Sequence, residues 1–239
     1  MNKYSIIIPC YNECSRGNLF YNIREVLHNA SFYFKDFEII IVDDCSNDNT
    51  FDNLKNEFSD EKSIRILKNN INRGKGYSIR NGIKHSDGNY IIYMDADLSV
   101  PLYYFREFRD ISDDNICIIA SRHLKESQIM NKDISTIRKL GTSMSILLLK
   151  YMYHLNVSDS QCGFKMFYID DKFDADSFVT DRWLFDIELL LYLKKLGYKI
   201  TEFPVIWNNN TNSTLNPSNA LGTSLIEIKK INEKLREEK

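Results

Sequence analysis

Cysteine is sparse and unpaired in this sequence: Cys10, Cys14, Cys45, Cys117 and Cys162 are odd in number, scattered, and set mostly in apolar or strand-like runs. That pattern argues for reduced core residues and against a disulfide framework. A zinc site is no better supplied, since it wants paired C-x-x-C spacing or nearby histidines, and only Cys10 and Cys14 lie close together. Neither sign of charge is in excess. Lys and Arg total 31 against 33 Asp and Glu, a formal net charge of -2, which gives no long-range pull towards nucleic acid or an anionic bilayer. A nucleic-acid binder is disfavoured. No basic n-region, apolar h-region and small-residue cleavage site precedes the run Tyr4 to Pro9, so no secretory signal is expected. Sequons such as Asn156-x-Ser158 and Asn212-x-Thr214 then read as chance. Long hydrophobic runs are missing too. The most apolar later stretch, Ile146 to Leu155, is broken by Lys150 and His154 and falls short of the roughly 20 residues a spanning helix needs, so no membrane-crossing segment is expected.

What is present is the balance of a globular domain. The chain has 239 residues, 43% hydrophobic and 27% charged, which suits one α/β domain with a sizeable core. Short apolar runs at Ser5–Ile8, Glu38–Val42, Ile64–Leu67, Tyr90–Met94 and Ile116–Ala120 alternate with polar turns and helical periods. Leu19, Ile23, Val26 and Leu27 keep helical spacing, as do Phe51, Leu54 and Phe58, and then Ile79 and Ile83. Runs this continuously apolar belong to strands covered on both faces, so a doubly wound, mostly parallel sheet with flanking helices is expected. After about residue 122 the alternation stops. The spacing then predicts a helix over Ile134–Leu155, an isolated strand at Gly163–Phe167, a helix over Trp183–Leu196 stopped by Gly197, and a strand at Lys199–Trp207 placed near an edge by Pro204. Leu225, Ile228, Ile231 and Leu235 put a terminal helix or solvated tail over the last stretch.

Ligands of doubly wound sheets bind at the carboxyl ends of the strands, so the residues just past each apolar run carry the functional argument. Here they are Pro9-Cys-Tyr-Asn-Glu13, Asp43-Asp44-Cys-Ser-Asn-Asp48, Asn72-Arg-Gly-Lys-Gly76 and Asp95-x-Asp97. Each alone is a turn with a helix cap; four at one sheet edge are hard to explain that way. Two carboxylates one residue apart at a strand end suit Mg2+ or Mn2+ carrying a diphosphate, against the alternative of a repelling pair relieved by caps. Asn72–Gly76 matches neither G-x-x-x-x-G-K-[ST] nor G-x-G-x-x-G, which supports neither a Walker ATPase nor a dinucleotide dehydrogenase. Its glycines fit either close backbone approach to a ligand, with Arg73 or Lys75 adding positive charge, or a flexible turn before a helix.

Together these segments, with Asp95-Ala-Asp-Leu-Ser99, resemble the ordered motifs of the family 2 glycosyltransferases of GT-A (Rossmann-like) fold. Asp159-Ser-Gln-Cys-Gly-Phe-Lys165, Trp183-Leu-Phe-Asp-Ile-Glu188 and Pro204-Val-Ile-Trp207 resemble the branch of polyprenyl-phosphate transferases containing the dolichyl-phosphate glucosyltransferases. The resemblance implies a single domain over residues 1–239: a nucleotide-sugar half to about 122, an acceptor half over about 123–215 and a C-terminal helix over about 217–239. It implies that Pro9, Tyr11, Asn12, Glu13 and Asp44 hold base and ribose, with Lys75 and Asp95 near the same pocket. Asp97, with Asp95, would anchor Mg2+ or Mn2+ on the diphosphate. Those residue types suit the roles: Tyr11 offers a flat face for a base, and carboxylates accept from base N–H and ribose hydroxyls. Relatives that transfer mannose often carry Gln at the position of Ser99, so Ser99 weighs against a mannosyl donor.

Arg122, at the end of the fifth apolar run, and Arg138, in the long helical stretch, would bind the acceptor phosphate by the same resemblance, a task that suits the guanidinium fork. Asp159 and Asp186 are the remaining candidate catalytic acids; Asp186 could act as a general base or orient the acceptor, and Glu188 could pair with a lysine. The implied reaction is inverting, metal-dependent transfer of a hexose, glucose from UDP-glucose, to a lipid phosphate at a membrane surface. A cytoplasmic chain, or one peripheral on the cytoplasmic membrane face, follows. The competing readings are transfer to a sugar hydroxyl, with Asp186 as base, and a non-catalytic nucleotide-sugar-binding protein. Between Ile134 and Leu155 one apolar helical face, with Arg138, Lys139 and Lys150 elsewhere, suits either an interfacial helix or packing on the sheet.

Overall fold

A computed structural model describes residues 3–130, 152–208 and 217–237, with side chains of the last stretch from Gly222 onward. The apolar runs form strands β1 (Tyr4–Cys10), β2 (Phe37–Asp43), β3 (Ile64–Lys68), β4 (Tyr90–Met94) and β5 (Ile116–Ser121). They join β7 (Phe164–Tyr168) and β8 (Lys199–Pro204) in a seven-stranded sheet of order β3-β2-β1-β4-β7-β5-β8. Only β7 runs antiparallel to its neighbours. A second, two-stranded parallel sheet pairs β6 (Gln128–Met130) with β9 (Ile206–Asn208). The helices described are α1 (Leu19–Tyr33), α2 (Thr50–Glu57), α3 (Lys75–Lys84), α4 (Tyr104–Ile111), α5 (Phe185–Lys195) and α6 (Pro217–Glu237).

Strand alternation builds two cores, one on each face of the sheet. Ile6, Ile8, Ile39 and Ile41 pack with Ile23, Val26, Phe105, Phe108 and Phe164, under α1 and α4. Ile7, Ile40 and Val42 point the other way, into Ile79, Ile83, Leu189, Leu190 and Ile231 of α3, α5 and α6. The expected double winding is therefore present. At full burial each such side chain contributes about 1.5–3 kcal/mol of apolar transfer free energy.

Two sequence expectations change in detail, and one helix is added. The strand expected in isolation at Gly163–Phe167 is inserted between β4 and β5, so the fourth and fifth apolar runs are not neighbours. The run Lys199–Trp207 divides at Val205: β8 is an edge strand, as Pro204 suggested, whereas β9 leaves for the second sheet. Helix α4, which was not expected from the sequence, buries Tyr104, Phe105 and Phe108. The helix expected over Ile134–Leu155 lies, up to Tyr151, outside the described residues, and Arg138 with it. All five cysteines are free. Strand order reverses direction between β1 and β4, which places the ligand crevice of this architecture above their carboxyl ends.

Candidate active site

Four loops meet at that edge. After β1, Tyr11 stands 38% exposed, its ring open to a planar ligand, and Asn12 takes a left-handed φ of 52. The Asn12 backbone donates to Ser46 Oγ at 2.8 Å while its side-chain oxygen accepts from Asn47 N at 2.8 Å. Ser15 N donates to Asp48 Oδ2 at 2.9 Å. The first loop is thus sewn to the second. Pro9 lies beside Val42 in the ladder below them.

Asp44, buried at the end of β2, has both carboxylate oxygens hydrogen-bonded within the protein. Its Oδ1 accepts from Asn69 Nδ2 at 2.8 Å and Arg73 N at 3.0 Å, and its Oδ2 accepts from Gly74 N at 2.7 Å. Asn72 donates to the Asp44 carbonyl at 3.2 Å. Asn72–Gly76 is thus pinned to Asp44 by three hydrogen bonds. Gly74 has a φ of +110, and a Cβ there would lie 2.6 Å from Arg182 Cγ; a Cβ at Gly76 would lie 2.8 Å from Phe185 Cγ. Only glycine lets the loop come this close to the segment before α5.

The neighbouring Asp43 is not among the residues expected from the sequence to bind a ligand. It is fully buried, and while Oδ2 accepts from Ser46 N at 3.0 Å, Oδ1 has no hydrogen-bond partner among the described residues. A buried, orphaned carboxylate oxygen beside a ligand crevice is unusual. Its signal in the sequence is the doubled Asp43-Asp44 itself.

The pinned loop delivers Lys75 to the first turn of α3, where Nζ donates to Asp95 Oδ1 at 2.7 Å. Burial would lower the Lys75 pKa, but the charges of Asp95 and Asp186 outweigh it and hold the ammonium well above its usual range. Asp97 Oδ1 accepts from Ser99 N at 2.9 Å and Ser99 Oγ at 2.7 Å, so the hydroxyl of Ser99 serves to orient Asp97. Glu13 pairs with Arg16 at 2.6 Å. Burial raises the Glu13 pKa, Arg16 opposes it, and Asp97 and Asp95 raise it further, so the three acids share one neighbourhood. Among the described residues no group of three or more His, Cys, Asp or Glu forms a complete metal cage.

Across the sheet, Arg122 follows β5. Its backbone N and Nε donate to Asp159 Oδ2 at 2.9 and 2.7 Å, and Nη2 donates to Oδ1 at 2.8 Å. Asp159 is almost wholly buried, and Glu202 on β8 accepts from its backbone at 3.1 Å. The guanidinium carbon lies 5.2 Å over the Trp207 ring. A small cleft beside it is lined by Met94, Asp95, Ser99, Gly163 and Trp207. Asp186 is buried in a different way, accepting from Lys165 Nζ and from the Tyr93 hydroxyl, with Lys165 fully buried. Glu188 accepts from Thr180 N at 2.8 Å and pairs with Lys234 at 2.9 Å, the lysine partner its position suggested.

A doubly wound sheet with an antiparallel strand inserted beside its switch point is the GT-A fold. The chain belongs to the family described as Glycosyl transferase family 2, whose model matches residues 5–167, and is a glycosyltransferase. A dolichyl-phosphate beta-glucosyltransferase of Dictyostelium discoideum is 30% identical over 231 residues, covering 89% of this chain and 68% of that protein. One of the same description from Saccharomyces cerevisiae is 30% identical over 233 residues, covering 85% of this chain and 66% of that one. The chain thus spans about two thirds of such relatives. Among solved structures, mannosyl-3-phosphoglycerate synthase of Rubrobacter xylanophilus superposes with a TM-score of 0.65 at 14% identity, covering 99% of this chain and 75% of that chain. Glucosyl-3-phosphoglycerate synthase of Mycobacterium tuberculosis, solved with Mn2+, UDP and glucosyl-3-phosphoglycerate, superposes with a TM-score of 0.61 at 15% identity, covering 98% and 80%.

Proposed function

We propose that the chain moves glucose from UDP-glucose to a polyprenyl phosphate of the dolichyl type, with inversion, at a membrane surface. The names of the relatives at 30% identity point to glucose and to a dolichyl-phosphate acceptor. The observation that carries the reading is the state of the two acids nearest the acceptor side. Asp159 is spent on Arg122 and Asp186 on Lys165 and Tyr93. Burial would raise both carboxyls, yet their cationic partners hold both below the usual range, which makes each a poor general base. An acceptor that is already an anion needs no base. A phosphate facing Arg122 would meet the remaining guanidinium N–H groups, while Trp207 lies beneath the same group.

On the donor side, Tyr11 would face the base, Asp43 Oδ1 would take a nucleoside donor group, and Lys75 would face the diphosphate. Asp95 and Asp97 suit Mg2+ or Mn2+: hard oxygen donors at a strand end, whose mutual repulsion with Glu13 a cation would relieve. Bound there with the diphosphate, the ion would neutralise charge on the departing nucleotide. Arg138, outside the described residues, remains a second candidate for the acceptor phosphate. Among the described residues no helix is long and apolar enough to cross a membrane, so the lipid would be met at the surface.

The test is purified protein with UDP-glucose, GDP-mannose and a short polyprenyl phosphate, with Mn2+ or a chelator, followed by mass spectrometry of the lipid. Hexose on the lipid phosphate from UDP-glucose, lost with chelator or in Asp97→Asn, is expected. Transfer to free sugars alone, preference for GDP-mannose, or no turnover with any acceptor would overturn the respective part.

A further inference from the structure

The segment between β7 and α5 has an unusual support. Glu227, buried on the C-terminal helix α6, lies beyond the residues matched by the family model. Its Oε1 accepts from Asp181 N at 3.0 Å and Arg182 N at 2.8 Å, and its Oε2 accepts from Leu184 N at 3.0 Å. One carboxylate thus satisfies three backbone donors of the turn that leads into α5, N–H groups that would otherwise need partners elsewhere. The α5 cap residue, Leu184, itself makes no side-chain cap bond.

What Glu227 holds is the back wall of the pinned loop. Asp181 accepts from Arg73 Nη2 at 2.8 Å, and from Arg80 as well; its carbonyl accepts from Tyr77 N at 2.9 Å. Arg182 and Phe185 are the groups that a side chain at Gly74 or Gly76 would strike. A shift of residues 181–185 therefore has to move Gly74–Gly76 and, with them, Lys75 beside Asp95.

We infer that Glu227 is a positioning residue for the donor pocket, setting through residues 181–185 the place of the loop that carries Lys75. The functional half of this inference rests on the donor reading above; the mechanical half does not. A Glu227→Gln variant keeps the shape but replaces one accepting oxygen by an amide NH2, which sets donor against donor at one or more of these backbone N–H groups. Ile231→Val, trimming a buried apolar contact of the same helix, controls for general loosening of α6.

The measurements are amide hydrogen exchange of residues 73–78 in the ligand-free protein, UDP affinity by calorimetry, and donor KM against kcat. In Glu227→Gln, exchange at 73–78 should speed up and UDP binding weaken about tenfold, the loss of one hydrogen bond's worth of free energy, with KM rising more than kcat falls. Glu227→Asp should recover part of the loss, and Ile231→Val should leave both readouts as in wild type. Unchanged exchange at 73–78 in Glu227→Gln, or equal changes in Ile231→Val, would overturn the inference. A wild type that binds no UDP would instead overturn the donor reading, while exchange would still decide the coupling.

Discussion

Lys75 Nζ lies 2.7 Å from Asp95 Oδ1, so the cation and one acid of the strand-end pair face each other across the mouth of the donor crevice. Without ligand, each is the other's counter-ion. A diphosphate arriving between them would take the ammonium, and its accompanying cation would take the carboxylate. Replacing Lys75 by methionine should therefore weaken UDP binding by about 10- to 100-fold, the equivalent of about 1.5–3 kcal/mol for a hydrogen bond to a charged group. Calorimetry in the presence of Mn2+ checks this; UDP affinity unchanged by Lys75→Met would remove the lysine from the pocket.

Gly163 makes a sharper test of where Asp95 must sit. A Cβ at this position would occupy the space of the Asp95 carboxylate, while the Gly163 carbonyl already accepts from Asp95 N at 3.0 Å. Asp95 is partly exposed and can swing outward, so Gly163→Ala should fold with a melting temperature within a few degrees of wild type. Transfer should nevertheless fall at least tenfold. A variant with full activity would show that the position of Asp95 is not critical.

The parallel sheet was legible because Ile39–Val42 and Tyr90–Met94 are apolar without interruption, which suits strands covered on both faces. Strand order was not. The strand at Phe164–Tyr168 carries Lys165, a residue that argues against a core position, and nothing local reveals that Asp186 and the Cys162 carbonyl will meet its ammonium. The site was legible as an address, since each polar cluster follows a strand. Which acid faces solvent and which is spent on scaffold depends on partners far along the chain: Arg73 with Asp181, Arg122 with Asp159, and residues 181–184 with Glu227.

The Arg122–Asp159 pair should show itself in acid. Burial would raise the Asp159 carboxyl, but the hydrogen bonds and charge of Arg122 lower it below the usual range. A carboxyl whose folded-state value is depressed stabilises the fold above its unfolded value of about 3.9 and loses that contribution as the pH falls through the folded value. Asp159→Asn strands a largely buried arginine, a loss of about 3–5 kcal/mol for a fully buried pair and less here because Arg122 keeps some exposure. Urea unfolding should place the variant well below wild type at pH 6 and nearer to it at pH 3. A gap that is constant with pH would mean that Asp159 is not the ionised partner.

Asp186 is the acid that a hydroxyl acceptor would require as base, and its surroundings argue otherwise. It is buried against Lys165, which is itself fully buried, and accepts from Tyr93. Breaking such a pair costs about 3–5 kcal/mol, whereas replacing both members with uncharged groups of similar size is often neutral. Asp186→Asn alone should therefore be strongly destabilised, and Asp186→Asn with Lys165→Met should regain much of the stability. A positioning acid would leave the double variant within about tenfold of wild-type transfer, with no acid limb between pH 5 and 8 that wild type alone possesses. A general base contributes about 10²–10⁴-fold, so a double variant that is stable, binds UDP and has lost transfer by more than a hundredfold would make Asp186 the base. The acceptor would then be a hydroxyl.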